Sequence, residues 1–368
     1  MFKNIKKILV IKFRHIGDVL LTVPAIRALK QTFPDARVTV LVNSGTEQVL
    51  AGNPAIDELM VFDRSIKKLP AVTRYLKEIS FLKKIRANGF DMTVDLTGGD
   101  RAAVVSFVSG TRYRLAADPG RKGFACKRFL YTHLADIQKT GHMALQNLDV
   151  LRCFGINTDN TEVDFFIPQQ SSASIKKIFE ENGFRGTDPV AHMHPTSRWL
   201  WKCWKDEYMA EVISWLIDNG IKVVVTSAPT EKELEKAKKI LSFVDPRFTT
   251  NGSRLLDLCG KTTIKELAAV SAASSLFIGV DSAPMHIAAA VKTPVIALFG
   301  PTDKNSWAPY GKGHVVIEKP FPCKPCKKGS CADIQLRDCM TAIKPDDVKK
   351  AVSTILNLKT RDSVPEAK

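Results

Sequence analysis

The sequence predicts an α/β protein with two domains. Its 368 residues exceed what one hydrophobic core normally organises. Short apolar runs that read as buried strands alternate with segments of helical periodicity. The alternation lapses near the middle and restarts after Ile167-Pro-Gln-Gln-Ser-Ser172, a Pro-led polar stretch that reads as a linker. The expected organisation is a first domain over 1–168 and a second over 169–344. A closing segment over 345–368 would comprise a helix able to pack back on the first domain and a frayed polar tail.

Lys7-Ile-Leu-Val-Ile-Lys-Phe13 reads as the opening strand, and Arg14-His-Ile-Gly17 as a tight loop that sets Asp18 at its carboxyl end. On local sequence alone Asp18 is an N-cap for the helical stretch VLLTVPAIRALKQTF, in which Pro24 forces a kink or a later start. Arg37 to Val42 and Glu58 to Phe62 are further strands. A basic helix lies within Arg64 to Arg86, followed by the strand Asp91-Met-Thr-Val-Asp-Leu96. Gly98-Gly99-Asp100-Arg101 forms a polar turn ahead of another helix. Pro119 to Thr140 is rich in Gly, Lys and Arg and reads as a surface excursion, and His142 to Phe154 is a helix stopped by Gly155.

The second half repeats the pattern. Ile175 to Glu181 is a helix ended by Gly183, Val190 to His194 a strand, Asp206 to Ile217 a helix ended by Gly220, and Ile221 to Thr226 a strand. Two capping boxes, Thr230-Glu-Lys-Glu233 and Thr263-Ile-Lys-Glu266, open helices. Pro345 to Leu358 is a final helix.

Between the strands expected at Ser275 to Val280 and Pro294 to Phe299 lies a short helix. Asp281 and Ser282 are good N-cap residues, Pro284 suits its first turn, and Ile287 to Val291 give it an apolar face. A strand, helix, strand unit sets that helix N-terminus at the carboxyl ends of the strands, where open α/β sheets bind ligands. Its free N–H groups and partial positive charge suit a phosphate. Asp281 would repel a phosphate, so its expected partners are a ribose hydroxyl or backbone, with Ser282 facing the anion. His286, four residues on, shares that face. A capped βαβ unit with a packed histidine would give the same local pattern.

The loop His194-Pro-Thr-Ser-Arg-Trp-Leu-Trp-Lys-Cys-Trp204 opens toward the same end of the sheet. Thr196, Ser197 and Lys202 suit a diphosphate, whose oxygens accept from hydroxyls and whose charge an ammonium offsets. Neither GxxxxGK[ST] nor GxGxxG occurs, which argues against a P-loop NTPase or a dinucleotide dehydrogenase.

With 45% hydrophobic and 25% charged residues the composition is that of an ordinary globular protein, and no apolar run reaches the length of a membrane span. The N-terminal stretch is basic, with four apolar residues before Lys12, and does not read as a signal peptide. A formal net charge of +16 calls for an anionic partner. Lys67, Lys68, Lys83 and Lys84 are expected to meet anionic membrane or phosphate groups, the plainer alternative being a solvated face of a packed helix. The eight cysteines are expected to be reduced. Cys126, Cys153, Cys203 and Cys259 read as packing residues. Cys323, Cys326, Cys331 and Cys339 form a cluster that could close a zinc site, although unligated thiols are the expectation.

Three stretches in this order, KILVIKFRHIGDVLLTVPAIRALK, HPTSRWLWKCW and GVDSAPMHIAAAVKTPVIALFGPTD, resemble the bacterial ADP-heptose:lipopolysaccharide heptosyltransferases. The likeness runs from the first strand to the CMTAIKPDDV segment. HPTSRW and DLTGGDR are most similar to the members that add the branching inner-core heptose.

The resemblance implies a GT-B fold, two Rossmann-like doubly wound domains facing across a cleft, with acceptor on the N-terminal one and ADP-sugar on the C-terminal one. It implies inverting transfer with no cofactor and no divalent metal. Asp18, in the matching GD motif, would be the general base. Thr196, Ser197 and Lys202 would hold the diphosphate, while Asp281, Ser282 and His286 would hold ribose, phosphate and sugar. Asp100 and Arg101 would contact the acceptor. The implied reaction moves L-glycero-D-manno-heptose from ADP-heptose to a heptose of the lipopolysaccharide inner core. The enzyme would work in the cytoplasm, peripheral on the anionic inner-membrane surface, with no nucleic-acid partner. The alternatives are another GT-B sugar-nucleotide enzyme, such as an epimerase, and a non-catalytic basic module binding nucleotide or nucleic acid. No RRM, KH or helix-turn-helix signature supports the last.

Overall fold

A computed structural model of the chain describes residues 2–138, 140–249, 254–324, 326 and 338–358. Contacts divide the chain into two compact units, Met1–Phe166 and Ile167–Lys368, so the division falls just before Pro168. The first unit holds strands β1 (Lys7–Lys12), β2 (Arg37–Asn43), β3 (Glu58–Phe62), β4 (Met92–Asp95), β5 (Tyr113–Ala117) and β6 (His133–Ala135). All pair in parallel, in the order β3-β2-β1-β4-β5-β6. The second holds β7 (Val190–His194), β8 (Lys222–Val225), β9 (Leu255–Asp257), β10 (Leu276–Val280), β11 (Val295–Phe299) and β12 (Val315–Glu318), in the order β12-β11-β10-β7-β8-β9. Counted from its own first strand, the second sheet has the order of the first, the doubly wound Rossmann arrangement.

Parallel strands covered on both faces must be apolar almost throughout. β1, β7, β10 and β11 meet that demand, since nearly every residue in them is buried. β5, β6, β9 and β12 escaped the sequence reading because they are short and mix apolar with polar residues. β6 lies inside the stretch expected to be a surface excursion. Gly279 of β10 faces His194 of β7 in register, and a Cβ there would come within 2.8 Å of the His194 carbonyl. Only glycine lets these two strands pair so tightly.

Several expectations change. The stretch read as a linker is largely the first turn of the helix Gln169–Glu181, with Pro168 as N-cap, so its polar residues face solvent on a helix. The box at Thr263 and Glu266 forms as expected, but Thr230 makes no cap bond to the backbone of the helix it precedes. The helix Pro345–Leu356 packs on the helix Asp206–Asp218 and on β11 and β12, burying Val348 and Val352. It therefore belongs to the second unit's core and is not a separate segment. Cys126 and Cys153 are exposed, not packed, while Cys203 is buried. Of the late cysteines, Cys339 is buried, Cys326 half-buried and Cys323 exposed; Cys331 lies outside the described residues.

Behind β7 runs a buried polar chain. His194 Nδ1 meets Thr226 Oγ1 at 2.8 Å, Thr226 Oγ1 meets His192 Nε2 at 2.7 Å, and His192 Nδ1 meets Ser271 Oγ at 2.9 Å. Ser271 donates its proton to the Leu267 carbonyl, so it accepts from His192; Thr226 then donates to His192 and accepts from His194. His192, which accepts at Nε2 and donates at Nδ1, must be neutral for this scheme. Burial pushes His194 down to about 3, and burial, helped by the neighbouring His194, pushes His192 well below its ordinary value.

The unfolded imidazoles titrate near 6.5, so below that pH the unfolded chain binds protons that the folded one does not. Stability is complete above this range and falls as pH drops toward 3, by about 1.4 kcal/mol per pH unit for each histidine. All five tryptophans lie in the second unit, so their fluorescence reports its unfolding. The urea midpoint followed in this way should fall between about pH 7 and about pH 5, and the fall should shrink in a His192→Gln variant.

Candidate functional site

Open parallel sheets bind ligands where strand order reverses, beyond the carboxyl ends of the two strands flanking the reversal. In the second unit those strands are β7 and β10, and they carry the candidate donor residues. After β7, Thr196 is fully buried and donates to Glu233 Oε2 at 2.8 Å. Ser197 is buried, and its Oγ accepts from the Trp199 amide at 3.3 Å. Lys202 closes a short 3-10 turn, Leu200–Lys202, and its Nζ reaches Asp281 Oδ2 at 2.5 Å.

Asp281 directly follows β10, and Ser282 is the N-cap of the eight-residue helix Ala283–Ala290. The Ser282 side chain makes no cap bond, and its buried Oγ has no hydrogen-bond partner among the described residues. Leaving a buried hydroxyl unsatisfied costs about 1–3 kcal/mol, and a ligand oxygen would remove that cost. His286 is buried one turn along, edge-on to Trp307 at 6.4 Å between ring centres. The carboxylate of Asp281, beside the helix end, is offset by the ammonium of Lys202. The site thus offers an ammonium, a buried hydroxyl and helix amides together, a set suited to a diphosphate.

In the first unit the reversal lies between β1 and β4. The segment after β1 forms the helix Ile16–Leu20, then a break, then Val23–Thr32 with Pro24 in its first turn. His15, not Asp18, is the N-cap, so the capping role expected for Asp18 is filled elsewhere. Asp18 is half-buried, and no group among the described residues hydrogen-bonds its carboxylate.

Beneath it Lys12 is buried, donating to the Leu96 carbonyl at 2.7 Å and to Asn147 Oδ1 at 2.9 Å. Burial pushes its ammonium down to about 8, and the charge of Asp18 is the largest influence opposing that fall. Asp95, at the end of β4, is buried and its carboxyl is raised by burial. It accepts from Tyr131 at 2.6 Å and from the Thr97 and Gly98 amides at 2.7 and 3.1 Å.

Asp100 opens the helix Asp100–Val108 and pairs with the nearly buried Lys127 at 3.1 Å. Arg101 pairs with Glu78 at 2.7 Å, and its guanidinium lies over the Phe62 ring at 4.4 Å. Both line a cavity of about 300 Å³ with Arg14, His15, Arg64 and Lys67. Cations dominate that lining, which suits an anionic acceptor. His15 lines the cavity, and Asp18 lies three residues beyond it on the same helix.

Glu233, Lys12, Asp95 and the His192–His194 chain escaped the sequence reading. Lys12 and Asp95 had a usable signal, a charged residue inside an apolar strand. Glu233 had none beyond its local box. Among the described residues no group of three or more His, Cys, Asp or Glu side chains could hold a metal ion. No described helix is long and apolar enough to cross a membrane.

The family model for glycosyltransferase family 9 (heptosyltransferase) matches residues 79–335. Lipopolysaccharide heptosyltransferase 3 of Escherichia coli (strain K12) is 34% identical over 297 residues, covering 81% of this chain and 83% of that protein. The crystal structure of the glycosyl transferase family 9 protein from Veillonella parvula DSM 2008 superposes with a TM-score of 0.79 at 23% identity, covering 96% of this chain and 98% of that one. The structure of E. coli ADP-heptose LPS heptosyltransferase II gives 0.76 at 19% identity, covering 95% and 98%. At such identities the superpositions establish the shared fold, GT-B. With a family model spanning well over half its length and a relative at 34% identity, the chain belongs to glycosyltransferase family 9, the heptosyltransferases.

Proposed function

We propose that the protein is an inverting glycosyltransferase that moves L-glycero-D-manno-heptose from ADP-heptose to a heptose of the lipopolysaccharide inner core, adding the branching heptose. It would act in the cytoplasm, peripheral on the inner membrane. The observation that carries the reading is the Lys202–Asp281 pair beside the unsatisfied Ser282 hydroxyl at the β7/β10 reversal. The names of the related enzymes support the choice of donor and acceptor.

In the proposed reaction Asp18 accepts the proton of the acceptor hydroxyl. That oxygen bonds to the anomeric carbon of the donor as the carbon–phosphate oxygen bond breaks, and the electron pair leaves with ADP. Attack opposite the leaving group inverts the anomeric centre. Lys202, Ser282 and the amides of the helix Ala283–Ala290 offset the charge that grows on the departing diphosphate. Thr196 and Ser197 flank that group, while Glu233 and Asp281 are carboxylates suited to ribose hydroxyls. His286, one turn into the helix, faces the sugar. Asp100 and Arg101 belong to the acceptor side, where Arg101 would meet an anionic core substituent.

Asp18→Asn tests the base. At the third position of a helix the loss of one negative charge costs at most about 1 kcal/mol, so the variant should fold and bind ADP normally. Without a proton acceptor its turnover should fall by about 100-fold or more. A folded Asn variant that transfers heptose at the wild-type rate removes Asp18 from this role.

Lys202→Met should lower kcat by about 100-fold through loss of leaving-group stabilisation, and it should weaken ADP binding because Asp281 is left unpaired. Isothermal titration with ADP, alongside single-turnover rates, checks both effects.

Because the leaving charge is assigned to protein groups, turnover should survive EDTA. A rate abolished by EDTA and restored by a divalent cation would overturn the metal-independent reading. Stoichiometric zinc in tag-free protein would overturn the expectation of unligated thiols at Cys323, Cys326, Cys331 and Cys339.

A further inference from the structure

The helix Ala71–Ala87 presents two stripes, one anchored and one exposed. Glu78, Phe81, Leu82 and Ile85 recur at i, i+3, i+4 and i+7; Ile85 is buried in the first unit's core, Phe81 and Leu82 pack against it, and Glu78 pairs with Arg101. Val72, Tyr75, Leu76 and Ile79 recur at the same spacing on another face. Val72 is 73% exposed, Tyr75 68% and Leu76 61%. The second half of the helix is anchored, and the first two turns hold three large apolar side chains in water.

We propose that this exposed stripe is a docking surface for an anionic phospholipid bilayer. Val72, Tyr75 and Leu76 enter the headgroup boundary, and the flanking cations hold lipid phosphates.

Charge supports this occupant. Between Arg64 and Arg86 there are eight basic residues and one acidic residue, Glu78, which is already paired with Arg101. That segment alone supplies seven of the chain's sixteen net positive charges. An apolar stripe beside a dense basic face is the pattern of an interfacial amphipathic helix.

Position supports it too. A shallow groove of about 830 Å³ along the helix is lined by Lys67, Val72, Tyr75, Leu76 and Arg101, among others. Lys67 and Arg101 also line the cavity at the β1/β4 reversal, so the two depressions adjoin. A bilayer held on the helix would present the polar head of a membrane-borne acceptor to that cavity. The inference deepens the proposed function by naming the surface that holds the acceptor's membrane, and its binding test does not depend on catalysis.

The test is cosedimentation of the full chain with vesicles of phosphatidylethanolamine and phosphatidylglycerol, against vesicles of phosphatidylcholine alone. Wild type should bind the anionic vesicles and leave the neutral ones largely unbound. V72S/Y75S/L76S alters only exposed side chains, so thermal unfolding should match wild type, while affinity for anionic vesicles falls by about tenfold or more. Transfer to a water-soluble, deacylated core acceptor should be unchanged, and transfer to vesicle-borne acceptor should fall with binding.

Equal vesicle binding by the triple variant and wild type overturns the inference, as does indifference to lipid charge. Loss of self-association in the variant with vesicle binding intact assigns the stripe to a second copy of the chain and likewise overturns it. Failure of wild type to use the soluble acceptor is a separate outcome, which strikes the proposed function and leaves the vesicle result standing.

Discussion

Strand order is the constraint on which the placement of every candidate residue depends. In each sheet the first strand pairs with the second on one side and with the fourth on the other, so the connections leave in opposite directions. Adjacent strands that send their chains apart leave a gap at their carboxyl ends that no crossover fills. The segments after β1 and β4, and after β7 and β10, must border those gaps. Asp18, Asp100 and Arg101 border one, while Thr196, Ser197, Lys202, Asp281 and Ser282 border the other.

The two gaps carry different electrostatics. In the second unit a cation and a carboxylate pair at the surface of the gap, beside a buried hydroxyl that has no partner among the described residues. In the first unit opposite charges are buried under the sheet end: Lys12 is held by neutral acceptors, and Asp95 by a phenol and two amides. Buried ionisable groups persist only where their bonding is supplied from all sides. Asp18, half-buried and with no hydrogen bond to its carboxylate among the described residues, differs from both in having no such cage.

The fold was legible where burial forces a strand to be apolar, as in β1, β2, β7, β10 and β11. It was illegible where a strand is too short or too mixed to show a period, as in β6 and β9. Helix starts set by proline or cap chemistry were legible at Pro24, Thr263 and Ser282. At Glu233 local pattern misled, because the carboxylate that could have closed a capping box is engaged by Thr196, 37 residues earlier in the chain. Types and spacings picked out Lys202 and Asp281 separately. Their pairing across 79 residues is a property of β7 lying beside β10, which no local window contains.

The stretch from Pro119 to Thr140 has the composition of a surface insertion, yet Lys127 turns it inward. Its ammonium is almost wholly buried, donating to the Gly98 carbonyl at 2.8 Å and pairing with Asp100. Gly123 lies so close that a Cβ there would come within 2.4 Å of Asp100 Oδ1. Loop length is cheap to vary, but a seated cation is not cheap to remove. This insertion therefore works as a peg: with Tyr131 bonded to Asp95 and β6 paired in the sheet, Lys127 ties the stretch inward and braces the turn before Asp100. Trimming the stretch back to a minimal connection would release that turn and, with it, one wall of the first unit's cavity.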